Sequence, residues 1–120
     1  MGNALVVDDS STERNILVSY LQELGITVTT AESGEEALTK ISNNTPDVVI
    51  LDVVLPGKSG FEICREIKAA DRTKAIPIII CSTKGSEMDK FWGMKQGADA
   101  YIPKPVDKEE LLSAVRKLIK

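Results

Sequence analysis

Pro46-Asp47-Val48-Val49-Ile50-Leu51-Asp52-Val53-Val54-Leu55-Pro56-Gly57-Lys58-Ser59-Gly60 is the stretch that decides the fold. Val48–Leu51 is short, aliphatic and without alternation, which predicts a strand buried on both faces, as in parallel sheets covered by helices. Pro56, Gly57 and Gly60 then break the run into a turn. One carboxylate, Asp52, is left at the carboxyl end of the strand, the edge where open α/β sheets hold their sites. A lone acid in that position also suits a helix cap or a turn, so its partners elsewhere in the chain decide between the readings.

Toward the amino terminus, Asn43-Asn44-Thr45-Pro46 is a loop, and Ser33-Gly34-Glu35-Glu36 opens a helix with Ala37, Leu38 and Ile41 inward. Ile26–Thr30 is β-branched throughout and predicts a second strand. Before it, Ile16, Leu17, Tyr20, Leu21 and Leu24 recur at three- and four-residue spacing, giving an amphipathic helix that Gly25 ends. Ala4–Val7 is an aliphatic strand that stops at Asp8-Asp9, and Ser10 and Glu13 follow at capping-box spacing. Toward the carboxyl terminus, Ser59 caps a helix carrying Phe61, Ile63, Cys64 and Ile67. Ile78–Cys81 is a further buried strand ending at Ser82-Thr83. Met88, Phe91 and Met94 fit a fourth helix, although Gly93 within it costs about 1 kcal/mol of propensity relative to Ala. Ala100–Ile102 is a brief fifth strand closed by Pro103-Lys104-Pro105. Asp107 and Glu110 open a last helix striped with Leu111, Leu112, Val115, Leu118 and Ile119.

Strands and helices thus alternate strictly, five of each, which predicts a parallel sheet with right-handed crossovers and helices on both faces. The 120 residues suit one domain, 1–120, and are too few for two. Hydrophobic residues at 42% and charged residues at 28% are those of an ordinary soluble protein, and no apolar run approaches the roughly 18 residues of a membrane span. Met1-Gly2-Asn3-Ala4-Leu5-Val6 has no hydroxyl at position 6 for myristoylation and no leader precedes the first strand, so a cytoplasmic location is expected. A net charge of −3 with interspersed signs argues against nucleic acid and anionic membrane surfaces as partners. The chain has no His, which excludes a Ser-His-Asp triad and, with Cys64 and Cys81 lacking ligand spacing, a zinc site. Both cysteines sit among apolar neighbours and are expected to be buried hydrophobes in a reducing compartment.

In such a sheet the strand ends carrying Asp8 and Asp9, Asp52, Ser82 and Lys104 all face one crevice. Carboxylates about 4 Å apart repel by about 1 kcal/mol per pair in water and about 4 at an effective dielectric of 20, so either they take up protons or a cation neutralises them. Oxygen-only ligands with open carboxylates suit Mg²⁺, which keeps several waters and reaches for phosphate oxygens. Lys104 adds a point charge and Ser82 a hydroxyl, so the set can receive a phosphoryl group on a carboxylate oxygen.

Val6-Val7-Asp8-Asp9-Ser10, Leu51-Asp52-Val53-Val54-Leu55-Pro56-Gly57 with Gly60, Ile80-Cys81-Ser82-Thr83, and Tyr101-Ile102-Pro103-Lys104-Pro105 together resemble the receiver domains of bacterial two-component response regulators. The resemblance runs from Ala4 to Ile119 and implies a flavodoxin-like, doubly wound (βα)5 fold with strand order 2-1-3-4-5. It implies that Asp52 accepts phosphate from a sensor histidine kinase, that Asp9, Asp52 and the main-chain carbonyl of Val54 hold Mg²⁺ with Asp8 assisting, and that Ser82 and Lys104 clasp the phosphoryl group. It further implies a cis Lys104-Pro105 bond, and a switch through Ser82 and Tyr101 that alters the face of the fourth helix, fifth strand and fifth helix for a downstream output protein. Such a chain is a switch that catalyses its own phosphorylation and slow autodephosphorylation, as a monomer or a phosphorylation-dependent dimer. Ser82 stands where the family more often has Thr, and Thr83 where it often has Ala, which bears on rates. The segment Met88–Ala98 is similar to single-domain receivers of the twitching-motility and phototaxis branch of chemotaxis; Trp92 there reads either as a partner contact or as a partly buried aromatic.

Other readings are a flavodoxin-like cofactor binder, an aspartyl phosphatase and a phosphorylation-independent adaptor. The first lacks a Gly-rich or hydroxyl-rich cradle after the first strand. The second lacks paired acids flanking one residue on a single strand end. The chain is expected to be a single-domain receiver, or one excised from a longer protein.

Overall fold

A computed structural model describes residues 2–119. The order of elements is β1 (Asn3–Val7), α1 (Ser11–Gln22), β2 (Thr27–Ala31), α2 (Gly34–Asn43), β3 (Val48–Leu51), α3 (Gly60–Ala69), β4 (Ile78–Ser82), α4 (Glu87–Lys95), β5 (Ala100–Pro103) and α5 (Lys108–Leu118). Five parallel strands form one sheet in the order β2-β1-β3-β4-β5. The alternation read from the sequence and the strand order implied by the resemblance are both observed. The readings that turn on Met1 and Lys120, the leader and the chain's end, lie outside the described residues.

Each strand is a short aliphatic run because both of its faces are covered. Leu5, Val7, Val49, Leu51, Ile78 and Ile80 meet Ala37, Ile41, Ile63, Cys64 and Ile67 of α2 and α3 on one side. The alternate residues Ala4, Val6, Val48, Ile50, Ile79 and Cys81 meet Leu17, Leu21, Leu111 and Val115 of α1 and α5 on the other. Every helix begins at a short polar residue whose side chain accepts from the backbone N–H three residues on: Ser10, Ser33, Ser59, Ser86 and Asp107. After α1, Gly25 turns the chain at φ +72° into β2, a conformation that favours glycine.

In two helices the periodic apolar residues do not all meet the sheet. Ile16 is exposed, because it lies about 100° round the helix from Leu17, and the Leu17–Leu21 line faces the sheet. In α4 the periodic residues Met88, Phe91 and Met94 point outward, and the helix touches the sheet through Gly93. Both cysteines are free and buried as expected. Among the described residues no helix is long and apolar enough to cross a membrane.

Candidate phosphoryl-transfer site

Register brings the acids together. Val7 pairs with Leu51 across β1 and β3, so the next residues, Asp8 and Asp52, leave adjacent strands side by side. Asp8 N–H donates to Ala31 O at 3.1 Å and Asp52 N–H to Val7 O at 3.0 Å, which ties both turns to the strand ends. Ser82 pairs with Pro103 across β4 and β5, which sets Lys104 at the same edge, and Lys104 N–H donates to Ser82 O at 2.9 Å. The Lys104-Pro105 bond is cis, as the resemblance implied.

The Lys104 ammonium donates to Asp8 Oδ2 at 2.7 Å and to Asp52 Oδ2 at 3.1 Å, and Glu13 Oε1 lies 3.7 Å away. The pair is secluded, with the side chains of Lys104, Asp8 and Asp52 only 7%, 2% and 9% exposed. Burial would depress the Lys104 pKa, but the hydrogen bond that Lys104 donates to Asp8 and the charge of Asp52 outweigh it and hold the ammonium above its usual range. A raised lysine pKa stabilises the fold in full below the ordinary value of about 10.4, and the contribution fades only as pH rises through the folded-state value. At neutral pH the ammonium is therefore in place.

Asp8, Asp9 and Asp52 each offer an oxygen, all within 4.8 Å of one another, with Asp9 exposed and the other two buried. Three carboxylates against one ammonium leave a formal charge of −2, which fits a divalent cation held by oxygen ligands with water completing its shell. The Val54 N–H points back to Asp52 Oδ1 at 3.4 Å, a long contact that keeps the turn over the site. Ser82 is fully buried, and its Oγ accepts from Lys84 N–H at 3.2 Å. The Tyr101 hydroxyl donates to the Lys84 carbonyl, linking β5 to the loop that follows Ser82; burial raises its pKa to about 12, so it stays a donor.

Gly60 explains how the turn after β3 closes. A Cβ at this position would stand 2.0 Å from Asp52 O, and Gly60 N–H donates to Val53 O at 2.8 Å. Two further residues attend the site that sequence reading missed. Glu13, expected in a reciprocal cap, gives only its N–H to Ser10 Oγ at 3.3 Å and turns its carboxylate toward Lys104. Arg14 donates to Asp8 O at 2.8 Å and approaches Glu32 at 3.9 Å, holding the acidic turn against the loop after β2. Nothing in its spacing marks it out.

Residues 4–116 match the response regulator receiver domain family. The chain is 42% identical to Protein PilH of Pseudomonas aeruginosa over 119 residues, 99% of this chain and 98% of that protein. It is 40% identical to the response regulator MprA of a Mycobacterium species over 116 residues, 97% of this chain but half the length of MprA. Among solved structures, the chemotaxis protein CheY4 of Vibrio cholerae superposes with a TM-score of 0.90 at 35% identity, covering 98% of each chain. The beryllofluoride-activated receiver domain of Klebsiella pneumoniae RstA does so with a TM-score of 0.90 at 27% identity, again over 98% of each chain. A family match over residues 4–116, near-complete coverage of PilH and an acid crevice at the sheet's carboxyl edge converge on one conclusion: this chain belongs to the receiver domains of two-component response regulators, close to PilH.

Proposed function

We propose that the chain is a phosphorylation switch in which Asp52 takes a phosphoryl group from the phosphohistidine of a sensor histidine kinase. The observation that carries this reading is the Lys104 ammonium bridging Asp8 and Asp52 beside a third, exposed acid. A carboxylate oxygen of Asp52 attacks phosphorus, the P–N bond to the kinase imidazole breaks, and neutral histidine leaves. Lys104 and Ser82 supply a positive charge and a hydroxyl to the transferring oxygens, whose charge is spread most widely in the transition state. Asp8, Asp9, Asp52 and the Val54 carbonyl would hold Mg²⁺, which neutralises charge on the entering group.

Phosphorylation adds about −1.5 to −2 of charge in a secluded crevice. Ser82, paired with Pro103 across β4 and β5 and accepting from the Lys84 N–H, is the group best situated to respond, and Tyr101 bonds the carbonyl of the same Lys84. The output is then a changed surface of α4, β5 and α5 read by a downstream protein, in a chemotaxis or pilus-motility pathway by likeness to PilH. The reading includes a single receiver domain over residues 1–120, acting in the cytoplasm without direct contact to nucleic acid or membrane.

Acetyl phosphate tests it without the cognate kinase, since acetate then leaves in place of histidine. With Mg²⁺ present, intact mass spectrometry should detect one added phosphoryl group, stable in acid and labile in base, absent from Asp52→Ala. Acetyl phosphate turnover without a lasting adduct would favour the phosphatase reading, and no reaction at all would favour the adaptor.

A further inference from the structure

The acids around Lys104 do different things for it. Asp8 and Asp52 accept from its ammonium at 2.7 and 3.1 Å, whereas Glu13 Oε1 stands 3.7 Å away, inside ion-pair reach but outside hydrogen-bond reach. Glu13 therefore adds negative charge to the site without fixing where the ammonium sits. Its side chain is 40% exposed, while those of Asp8 and Asp52 are buried, so it belongs to the rim of the crevice and not to its floor.

The start of α1 leaves this carboxylate at liberty. In a reciprocal cap it would accept from the Ser10 N–H, but that N–H already donates to Asp8 Oδ1 at 3.0 Å. Only the Glu13 N–H serves the cap, donating to Ser10 Oγ at 3.3 Å. Arg14, the next cation along, is turned to Asp8 O and Glu32, so among the described residues Lys104 is the one ion-pair partner of Glu13. An acid in a first turn also suits the positive end of a helix, a role that concerns stability alone. A charge at the rim of a phosphoryl acceptor does more, because it repels the donor in proportion to the donor's own charge.

We propose that Glu13 is a charge filter for phosphodonors, slowing transfer to Asp52 from small anionic donors and so favouring a donor presented on a protein surface. This role rests on phosphoryl acceptance by Asp52 as proposed above, and adds to it a residue that determines specificity. A docked protein is held by many contacts, about 800 Å² per partner in a standard interface, and one carboxylate at the edge weighs little against them. A free dianion has no such compensation. At about 8 Å in a water-like dielectric, one unit charge alters the encounter with a monoanion roughly twofold, and with a dianion by the square of that factor.

Two donors of different charge provide the test, each given to the full chain with Mg²⁺ at low ionic strength and neutral pH: acetyl phosphate, a dianion, and phosphoramidate, a monoanion. In both, an Asp52 oxygen attacks phosphorus. The P–O bond to acetate breaks in the first and the P–N bond in the second, whose nitrogen already carries the proton and leaves as ammonia. Growth of the adduct, followed by intact mass, gives the rates. Glu13→Gln should speed transfer from acetyl phosphate about fivefold and from phosphoramidate about twofold, and Glu13→Lys, a change of two charges, should raise these factors to roughly twenty-five and five. Added salt should shrink all four. Asp71→Asn removes the same charge beyond the far end of α3, from a side chain 95% exposed, and should move neither rate. Equal factors for the two donors, no change with Glu13→Gln, or an equal effect from Asp71→Asn would each overturn the filter while leaving acceptance by Asp52 intact. Failure of the unaltered chain to take a phosphoryl group from either donor would overturn both.

Discussion

At the scale of single residues, the site is a balance of like charges held by one ammonium. Asp9 is the exposed member of the acid cluster and does not touch Lys104 within ion-pair reach, so its charge is the least compensated. Without divalent cations and at low salt, Asp9→Asn should stabilise the fold by about 1 kcal/mol by relieving repulsion. The unaltered chain should show a Mg²⁺-dependent rise in unfolding temperature by linkage, and the same variant should lose most of it. Thermal melts with and without Mg²⁺ check both; a destabilised variant that still responds fully to Mg²⁺ would contradict the assignment. Asp8, Asp9, Asp52, Ser82 and Lys104 were legible in the sequence because each follows an apolar run, where a polar residue marks the edge of a sheet. Glu13 and Arg14 were not, because a charged residue in the first turns of a helix has the same pattern as one that is merely solvated.

At the scale of elements, strands and caps were readable and the orientation of helices less so. Uninterrupted aliphatic runs predict strands buried on both faces, and β3 and β4 are buried throughout. An amphipathic stripe, however, tells only that one side is apolar; it does not tell which side meets the sheet. In α4 a glycine makes the closer contact and the stripe faces out, so periodicity found the helix without telling how it packs. Glycine also decides the approach of α3 to β3. Gly60→Ala would drive a methyl into Asp52 O, backbone that cannot turn aside, and should cost about 3 kcal/mol and displace the turn carrying Asp52. Urea unfolding measures this, and a loss below about 1 kcal/mol would show that the turn yields easily.

At the scale of the whole molecule, two apolar layers flank one sheet, and the site sits where the sheet's carboxyl edge is common to both. Cys64 lies in the layer of α2 and α3 and Cys81 in the layer of α1 and α5, so the two thiols report on the layers separately. Burial raises their pKa values to about 11 and about 12, which keeps both protonated and unreactive near neutral pH. If the layers open as one cooperative unit, iodoacetamide should modify both cysteines at the same slow rate, accelerating together with urea. Rapid labelling of Cys64 with Cys81 protected would show that one layer opens alone. The alternation of strands and helices made this architecture legible, whereas the order of strands came from family likeness, since local sequence does not encode which strands become neighbours. The most direct measurement of the central claim is borohydride trapping after brief exposure to acetyl phosphate, which reduces an aspartyl phosphate to homoserine that tandem mass spectrometry can locate. The account predicts homoserine at position 52 alone, formed with Mg²⁺ and absent without it; homoserine at another acid, or equal yield without the metal, would contradict it.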